Sequence, residues 1–146
     1  MRQGKYTELF FLDEATALAA GHRPCGLCQK HRQLEFISMW KVSYPDHDSL
    51  EKIDQQLHLS RIDGSGAKIV YEADCGELPN GVISRDPESS EALLIRNEFV
   101  YLWTPQGYGA RKIRPKGIVE VLTPRPTVSV MMQGFAVEPM EPLLAW

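Results

Sequence analysis

The stretch ALLIRNEFVYLW, residues 92–103, carries the clearest secondary-structure signal in the chain. Two apolar runs rich in branched and aromatic residues flank Asn97-Glu98, a pattern typical of a β-hairpin closed by a two-residue loop. Shorter runs at residues 68–71, 82–84 and 117–122 predict further strands, whereas residues 104–115 predict a loop. A short helix is expected around residues 128–133. The second half of the chain is therefore expected to form a small antiparallel β-sheet.

The first half of the chain has helical patterning instead. Asp13 is expected to cap a short helix that Gly21 ends. A second helix is predicted from about Cys25 to Val42, with Pro24 at its start, where a missing N–H is harmless. Its apolar stripe is predicted to consist of Leu27, Leu34, Ile37, Met39 and Trp40.

A third helix is predicted to begin at Asp48, which forms a capping box with Glu51. Its buried face is predicted to consist of Leu50, Ile53 and Leu57. The sequence at residues 63–66, DGSG, then interrupts the pattern. The prediction is an α+β fold, with a helical half over residues 1–63 and a β-rich half over residues 67–146, packed as one compact domain.

Composition limits the class of protein. The 146 residues hold 16 Lys and Arg against 19 Asp and Glu, a net charge of −3, and 43% of them are hydrophobic. This balance suits a globular domain and disfavours a protein held to nucleic acid or to an anionic membrane by bulk charge. The apolar run at residues 9–12 is too short for a signal peptide or a membrane span, so a cytoplasmic protein is expected. No nucleophile elbow, phosphate loop or dinucleotide fingerprint points to a small-molecule substrate.

The three cysteines point to metal chemistry. An odd number excludes a fully paired disulfide framework within one chain. Cys25 and Cys28 lie three residues apart at the expected start of a helix, where both thiolates can face one ion and free N–H groups stabilise them. Because Zn²⁺ prefers sulfur ligands, the pair predicts a structural zinc site. Two ordinary thiols or a redox dithiol are the alternatives, and Cys75, between carboxylates, is predicted to be structural.

Residues 11–28, FLDEATALAAGHRPCGLC, resemble the second half of the Ada-type zinc-binding module. That module has an aromatic residue, a short Ala-rich helix and the sequence Ala-Ala-Gly-x-Arg-Pro-Cys-x-x-Cys before a further helix. The resemblance, within an uncharacterised bacterial protein family, implies zinc at Cys25 and Cys28 and DNA as a partner. The module's other ligand pair, which includes its methyl-accepting cysteine, lies upstream of the short helix. Residues 1–10 contain neither Cys nor His, so a short-start version without methyl-acceptor chemistry is expected.

The remaining ligands are expected from elsewhere in the chain. His31 continues the three-residue spacing and is the first candidate. Successive steps of three residues rotate by about 60° around a helix, so His31 can join the cysteines only if the first turn is irregular. The alternatives are His22, His58, Cys75 or a second chain.

A zinc-stabilised binding module without catalytic activity, with DNA as its partner, is the first functional hypothesis. An enzyme whose active site lies unrecognised in the β-rich half is the second, and a homo-oligomeric interaction protein with a shared metal site is the third. The basic segment at residues 111–116, together with Arg125, is an alternative phosphate contact, with aromatic residues nearby to stack on bases. A solvated segment beside core aromatics is the preferred interpretation. The aromatic residues concerned are Tyr101, Trp103 and Tyr108.

Overall fold

The computed structural model describes residues 13–24, 26, 29–47 and 49–137. Within these residues it has four α-helices, six β-strands and a 3₁₀ turn at Cys75–Glu77. The helices are α1 (Glu14–Ala19), α2 (Lys30–Ser43), α3 (Leu50–Arg61) and α4 (Arg125–Met132). The strands are β1 (Tyr71–Asp74), β2 (Ile83–Arg85), β3 (Ala92–Arg96), β4 (Phe99–Thr104), β5 (Gly107–Ile113) and β6 (Ile118–Val121). The predicted α+β fold is confirmed, and none of the described helices is long and apolar enough to cross a membrane.

The six strands form one sheet in the order β1-β6-β2-β3-β4-β5, and each pair of neighbours is antiparallel. The predicted hairpin joins β3 and β4, with Arg96 opposite Phe99. Its loop needs a left-handed residue, and Asn97 supplies it at φ 56°, a conformation that Asn adopts more readily than most residues. The last strand, β6, inserts between β1 and β2, so strands distant in sequence become neighbours in the sheet.

Alternate side chains of the strands enter two apolar clusters, as the pleat of a sheet requires. On β3, Leu93 and Ile95 belong to the larger cluster, while Leu94 belongs to the smaller one. Helices α2, α3 and α4 complete the larger cluster, and two alanines of α1 complete the smaller one. Since the larger cluster draws buried residues from both halves of the sequence, the helices and the sheet share a core.

Helix α2 differs from its prediction in both start and orientation. It begins at Lys30, not near Cys25, with Gln29 as its N-cap residue. Its buried residues are Gln33, Phe36 and Trp40, whereas Leu34 is 55% exposed. Two residues correspond to a rotation of about 200° around a helix, so Leu34 faces solvent when Phe36 faces the core. The predicted stripe is therefore wrong at Leu34 and right at Trp40, with Ile37 and Met39 partly buried beside it.

Helix α3 and strand β5 give two further corrections. The α3 cap is Ser49, whose hydroxyl accepts a hydrogen bond from the N–H of Lys52 at 3.2 Å, while Asp48 lies outside the described residues. Residues 107–113, predicted as a loop, form the edge strand β5. Pairing with β4 and burial of Tyr108 outweigh the low strand propensity of the glycines there, as tertiary context often does.

Candidate metal centre and the adjoining basic cleft

The segment between α1 and α2 carries the cysteine motif. Pro24 is buried and Gly26 is partly buried, while Cys25, Leu27 and Cys28 lie outside the described residues. Helix α2 begins at Lys30, so the predicted start near Cys25 is wrong.

The start of α1 is fixed to the sheet by hydrogen bonds. Asp13 caps the helix as predicted, accepting from the N–H of Thr16 at 2.9 Å. The hydroxyl of Tyr108 donates to Asp13 Oδ2 at 2.8 Å, and Trp103 Nε1 donates to Thr16 Oγ1 at 3.1 Å. Burial and the nearby Asp13 carboxylate raise the pKa of Tyr108 far above its usual range, so the phenol remains a donor. Strands β4 and β5 thus set the position of α1.

The end of α1 is held by two cations. Arg61 Nη1 donates to the carbonyl of Ala20 at 3.3 Å, and Lys68 Nζ donates to that of Ala19 at 3.0 Å. Positive charge is favourable at this end of a helix, where carbonyl groups lack internal partners. Burial, followed by the positive charge of Arg61, lowers the pKa of Lys68. Gly21 then turns the chain at φ 96°, and a Cβ there would lie 2.4 Å from Arg61 Cδ.

The residues around Cys25 are held by the two following helices. Arg23 forms a bidentate pair with Asp54 of α3, with Nε–Oδ1 at 2.6 Å and Nη2–Oδ2 at 3.0 Å. The amide of Gln33 in α2 is oriented by the donors around it, with its oxygen toward them. That oxygen accepts from the N–H of Gly26 at 3.2 Å and from Arg23 Nη1 at 2.9 Å. The positions on both sides of Cys25 therefore have fixed partners.

An ion pair and further contacts of Arg32 connect the two helices that flank the motif. Arg32 in the first turn of α2 reaches Glu14 at the start of α1, with Nη2–Oε1 at 2.6 Å. The same guanidinium donates to the carbonyl of Ala136 at 2.6 Å and stacks on the ring of Phe135, 4.0 Å from its centroid. The relative positions of α1 and α2 are thus set by contacts outside the cysteine motif.

The predicted ligands lie in different environments. His31, the second residue of α2, is exposed. Cys75 is fully buried in the core, and burial raises the pKa of its thiol, as suits a structural residue. His22 and His58 line one cleft together with Gly26, the residue after Cys25.

Among the described residues, no three His, Cys, Asp or Glu side chains come together to hold a metal ion. That His22 and His58 line the same cleft could not be predicted from the sequence, because packing of α3 against the turn brings them to it.

The cleft itself opens between the turn after α1, the start of α2 and α3, and has a volume of about 690 Å³. Five cationic or titratable basic side chains line it: His22, Arg23, Lys30, His58 and Arg61. Asp54 is the single carboxylate among its described lining residues. Sequence patterning missed this feature because its residues are scattered over the first half of the chain.

The basic segment at residues 111–116 is engaged mainly with the protein. Lys112 pairs with Asp86 at 2.7 Å, and Arg111 stacks on Phe99 at 4.2 Å from the ring centroid. The aromatic residues proposed as stacking partners belong to the packing of the smaller cluster: Tyr101, Trp103 and Tyr108. The aromatic residues thus pack in the core, as the preferred interpretation has it, whereas Arg111 and Lys112 lie in strand β5 and contact the protein.

Comparisons of the chain with protein-family models, with curated proteins and with solved structures gave no match. The resemblance to the Ada-type module therefore rests on residues 11–28 and stays a prediction. The described residues provide two features relevant to function, a braced frame around the cysteine motif and a positively charged cleft beside it.

Proposed function

We propose that this protein is a zinc-stabilised binding module in which Cys25 and Cys28 supply two ligands to one Zn²⁺. The frame around the motif carries this proposal: Arg23 is paired with Asp54, and Gly26 with Gln33. A metal site needs ligands at fixed positions, and a braced loop has less conformational entropy left to lose on binding. Zinc would in turn stabilise the connection between α1 and α2.

The charges at the start of α2 also support thiolates. Lys30 and Arg32 lie in its first turn, which holds no acidic residue, and Gln29 makes no side-chain cap. Arg32 is paired with Glu14 and Glu35, whereas Lys30 has no ion pair among the described residues. Positive side chains are unfavourable at the N-terminal end of a helix dipole, and nearby negative charge offsets that cost. Cationic surroundings also lower the pKa of a cysteine and favour the thiolate that binds metal.

Three histidines are candidates for the remaining ligands. His31 follows from the spacing of the motif, and His22 and His58 follow from the cleft that they share with Gly26. Two sulfur and two nitrogen ligands would give a closed tetrahedral site, the arrangement typical of structural zinc.

Cobalt substitution tests this proposal. Tetrahedral Co²⁺ has characteristic visible bands, and thiolate ligands add a charge-transfer band whose intensity rises with their number. We expect the wild-type protein to show both, and Cys25→Ser and Cys28→Ser to lose most of the charge-transfer intensity. Cys75→Ser is the matched control and should leave the spectrum unchanged. An unchanged spectrum in either Cys25→Ser or Cys28→Ser would exclude that residue as a ligand.

The same spectrum assigns the nitrogen ligands. His22→Ala, His31→Ala and His58→Ala are compared one at a time, and loss of a true ligand should shift the visible bands as water replaces it. If no single histidine substitution shifts them, the site is completed by other groups or by a second copy.

DNA, the partner implied by the resemblance, is proposed for the binding role because the basic cleft adjoins the motif. Binding through phosphates should weaken as salt is added. A duplex that fails to bind at low salt, or that binds equally well at high salt, would contradict this part of the proposal.

A further inference from the structure

The basic cleft between the turn after α1, the start of α2 and α3 has features that structural zinc does not explain. We propose that this cleft is a binding site for a phosphate group. The inference rests on the binding role proposed above for the same cleft. It depends on the cations of the cleft and not on the metal, so it can hold or fail independently of the zinc proposal.

The cations of the cleft are incompletely neutralised. Asp54, the one carboxylate among the described lining residues, accepts hydrogen bonds through both of its oxygens from Nε and Nη2 of Arg23. Lys30 and Arg61 form no ion pair within the described part of the chain. A chain with a net charge of −3 thus gathers uncompensated positive charge in a concave site, where low-dielectric walls focus the field.

Arg61 is held in place without being neutralised. Its Nη1 donates to the carbonyl of Ala20, while its Nε is buried and has no hydrogen-bond partner. Burial and, after it, the nearby positive charge of Arg61 lower the pKa of Lys68. A fixed guanidinium is well suited to oxyanions because its donors match their geometry.

The start of a helix also contributes to the cleft. Gly21 and Gly26 lie in its wall, and the side chains of Arg61 and Gln33 fill the positions of their missing Cβ atoms. Lys30 and Gln33, from the first turns of the 14-residue helix α2, form another part, and the N-cap residue Gln29 makes no side-chain cap. Helix N-termini are common phosphate sites because their N–H groups point toward the ligand. The volume of about 690 Å³ lies within the range of small-molecule sites.

Titration with inorganic phosphate at constant ionic strength tests the proposal, with backbone amide NMR shifts as the readout. We expect saturable shifts at Gly21, Gly26, Lys30 and Arg61. Lys30→Gln and Arg61→Gln should each weaken binding at least about tenfold, the factor that corresponds to about 1.4 kcal/mol. Lys30 is exposed, so its variant keeps the test valid even if Arg61→Gln fails to fold.

Lys41→Gln is the matched control, because it removes the same charge from an exposed position of α2 outside the cleft. Affinity equal to wild type in this variant supports the site. An equal loss in Lys41→Gln and Lys30→Gln would mean that phosphate responds to overall charge, and would overturn the proposal. The absence of saturable shifts would overturn it as well, since the cations would then serve only the neighbouring thiolates.

Competition identifies the source of the phosphate group. Short oligonucleotides of one sequence, with either a 5′-phosphate or a 5′-hydroxyl, are compared for displacement of inorganic phosphate. Equal displacement supports the cleft as a site for internucleotide phosphates, and displacement by the 5′-phosphorylated form alone supports a phosphate monoester. Failure of both, with inorganic phosphate bound, restricts the site to small phosphorylated ligands.

Discussion

Replacing Gly21 by Ala tests the packing that connects the turn after α1 to α3. Gly21 has φ 96°, and an added Cβ would lie 2.4 Å from Cδ of Arg61. A left-handed conformation costs a non-glycine residue roughly 1–2 kcal/mol. Displacing Arg61 also removes its hydrogen bond to Ala20, worth about 0.5–1.5 kcal/mol. The substitution also lowers the entropy of the unfolded chain, which offsets roughly 0.4–1 kcal/mol of this loss. The variant should therefore lose about 0.5–3 kcal/mol of unfolding free energy.

Urea unfolding measures this loss, and Gly64→Ala is the matched control. Gly64 lies in the turn after α3 with no atom within 4 Å of the position of an added Cβ, so its substitution should be neutral or slightly stabilising. Repeating Gly21→Ala in an Arg61→Ala background should remove the steric part and leave the backbone part. If the unfolding free energies of Gly21→Ala and Gly64→Ala agree within about 0.5 kcal/mol, the expected destabilisation at Gly21 is wrong.

Four further substitutions examine the core, an ion pair and the attachment of α1. Because Phe36 is buried and Leu34 is exposed, Phe36→Ala should lower the free energy of unfolding in urea by about 3–5 kcal/mol and Leu34→Ala by less than about 0.5 kcal/mol. Equal losses in the two variants would contradict the observed buried face of α2. The hydrogen bond from Lys112 and, after it, that from the N–H of Glu88 lower the pKa of Asp86 to about 2. The stabilisation by the ionised carboxylate is therefore present above the unfolded-state pKa of 3.8 and is lost as pH falls through about 2. Lys112→Gln should therefore reduce the difference in stability between pH 7 and pH 2, and an unchanged difference would exclude the pair. Tyr108→Phe removes the hydrogen bond to Asp13, the α1 cap, and should lower the free energy of unfolding by about 1–2 kcal/mol. If the variant is as thermally stable as the wild-type protein, this hydrogen bond does not stabilise the attachment of α1.

Local signals predicted the elements whose stabilising contacts lie close together in sequence. The hairpin at residues 92–103 was identifiable because its strands and its two-residue loop are adjacent in the chain, and β3 and β4 pair there as expected. The first helix was predicted from its own cap and stop, Asp13 and Gly21, which the structure confirms. In both cases the residues that decide the conformation lie within a few positions of one another.

Contacts between distant residues decided the rest. Gln33 is polar, yet it is buried because it accepts bonds from the turn before α2, and Phe36 is buried because it meets the ring of Phe135 at 5.4 Å. Strand β5 forms from a glycine-rich segment because β4 offers it an edge to pair with. The basic cleft has the same origin, since α3 brings Arg61 against the turn at Gly21.

The candidate metal site was predictable in part. The spacing of Cys25 and Cys28 and its resemblance to the Ada-type module identify two ligands, and that identification stays a prediction. The bracing of the motif by Asp54 and Gln33 was not predictable, because nothing in the local pattern links either residue to the cysteines.

Native mass spectrometry of the purified protein is the most direct test of zinc binding by Cys25 and Cys28, since it counts the zinc ions per chain and the number of chains together. We expect one zinc per chain in the wild-type protein and in Cys75→Ser, and none in Cys25→Ser or Cys28→Ser. A mass that doubles only in the presence of zinc would place the remaining ligands in a second copy. The zinc site is contradicted if the wild-type chain carries no zinc after purification with added zinc and its Cys25 and Cys28 thiols react freely at neutral pH.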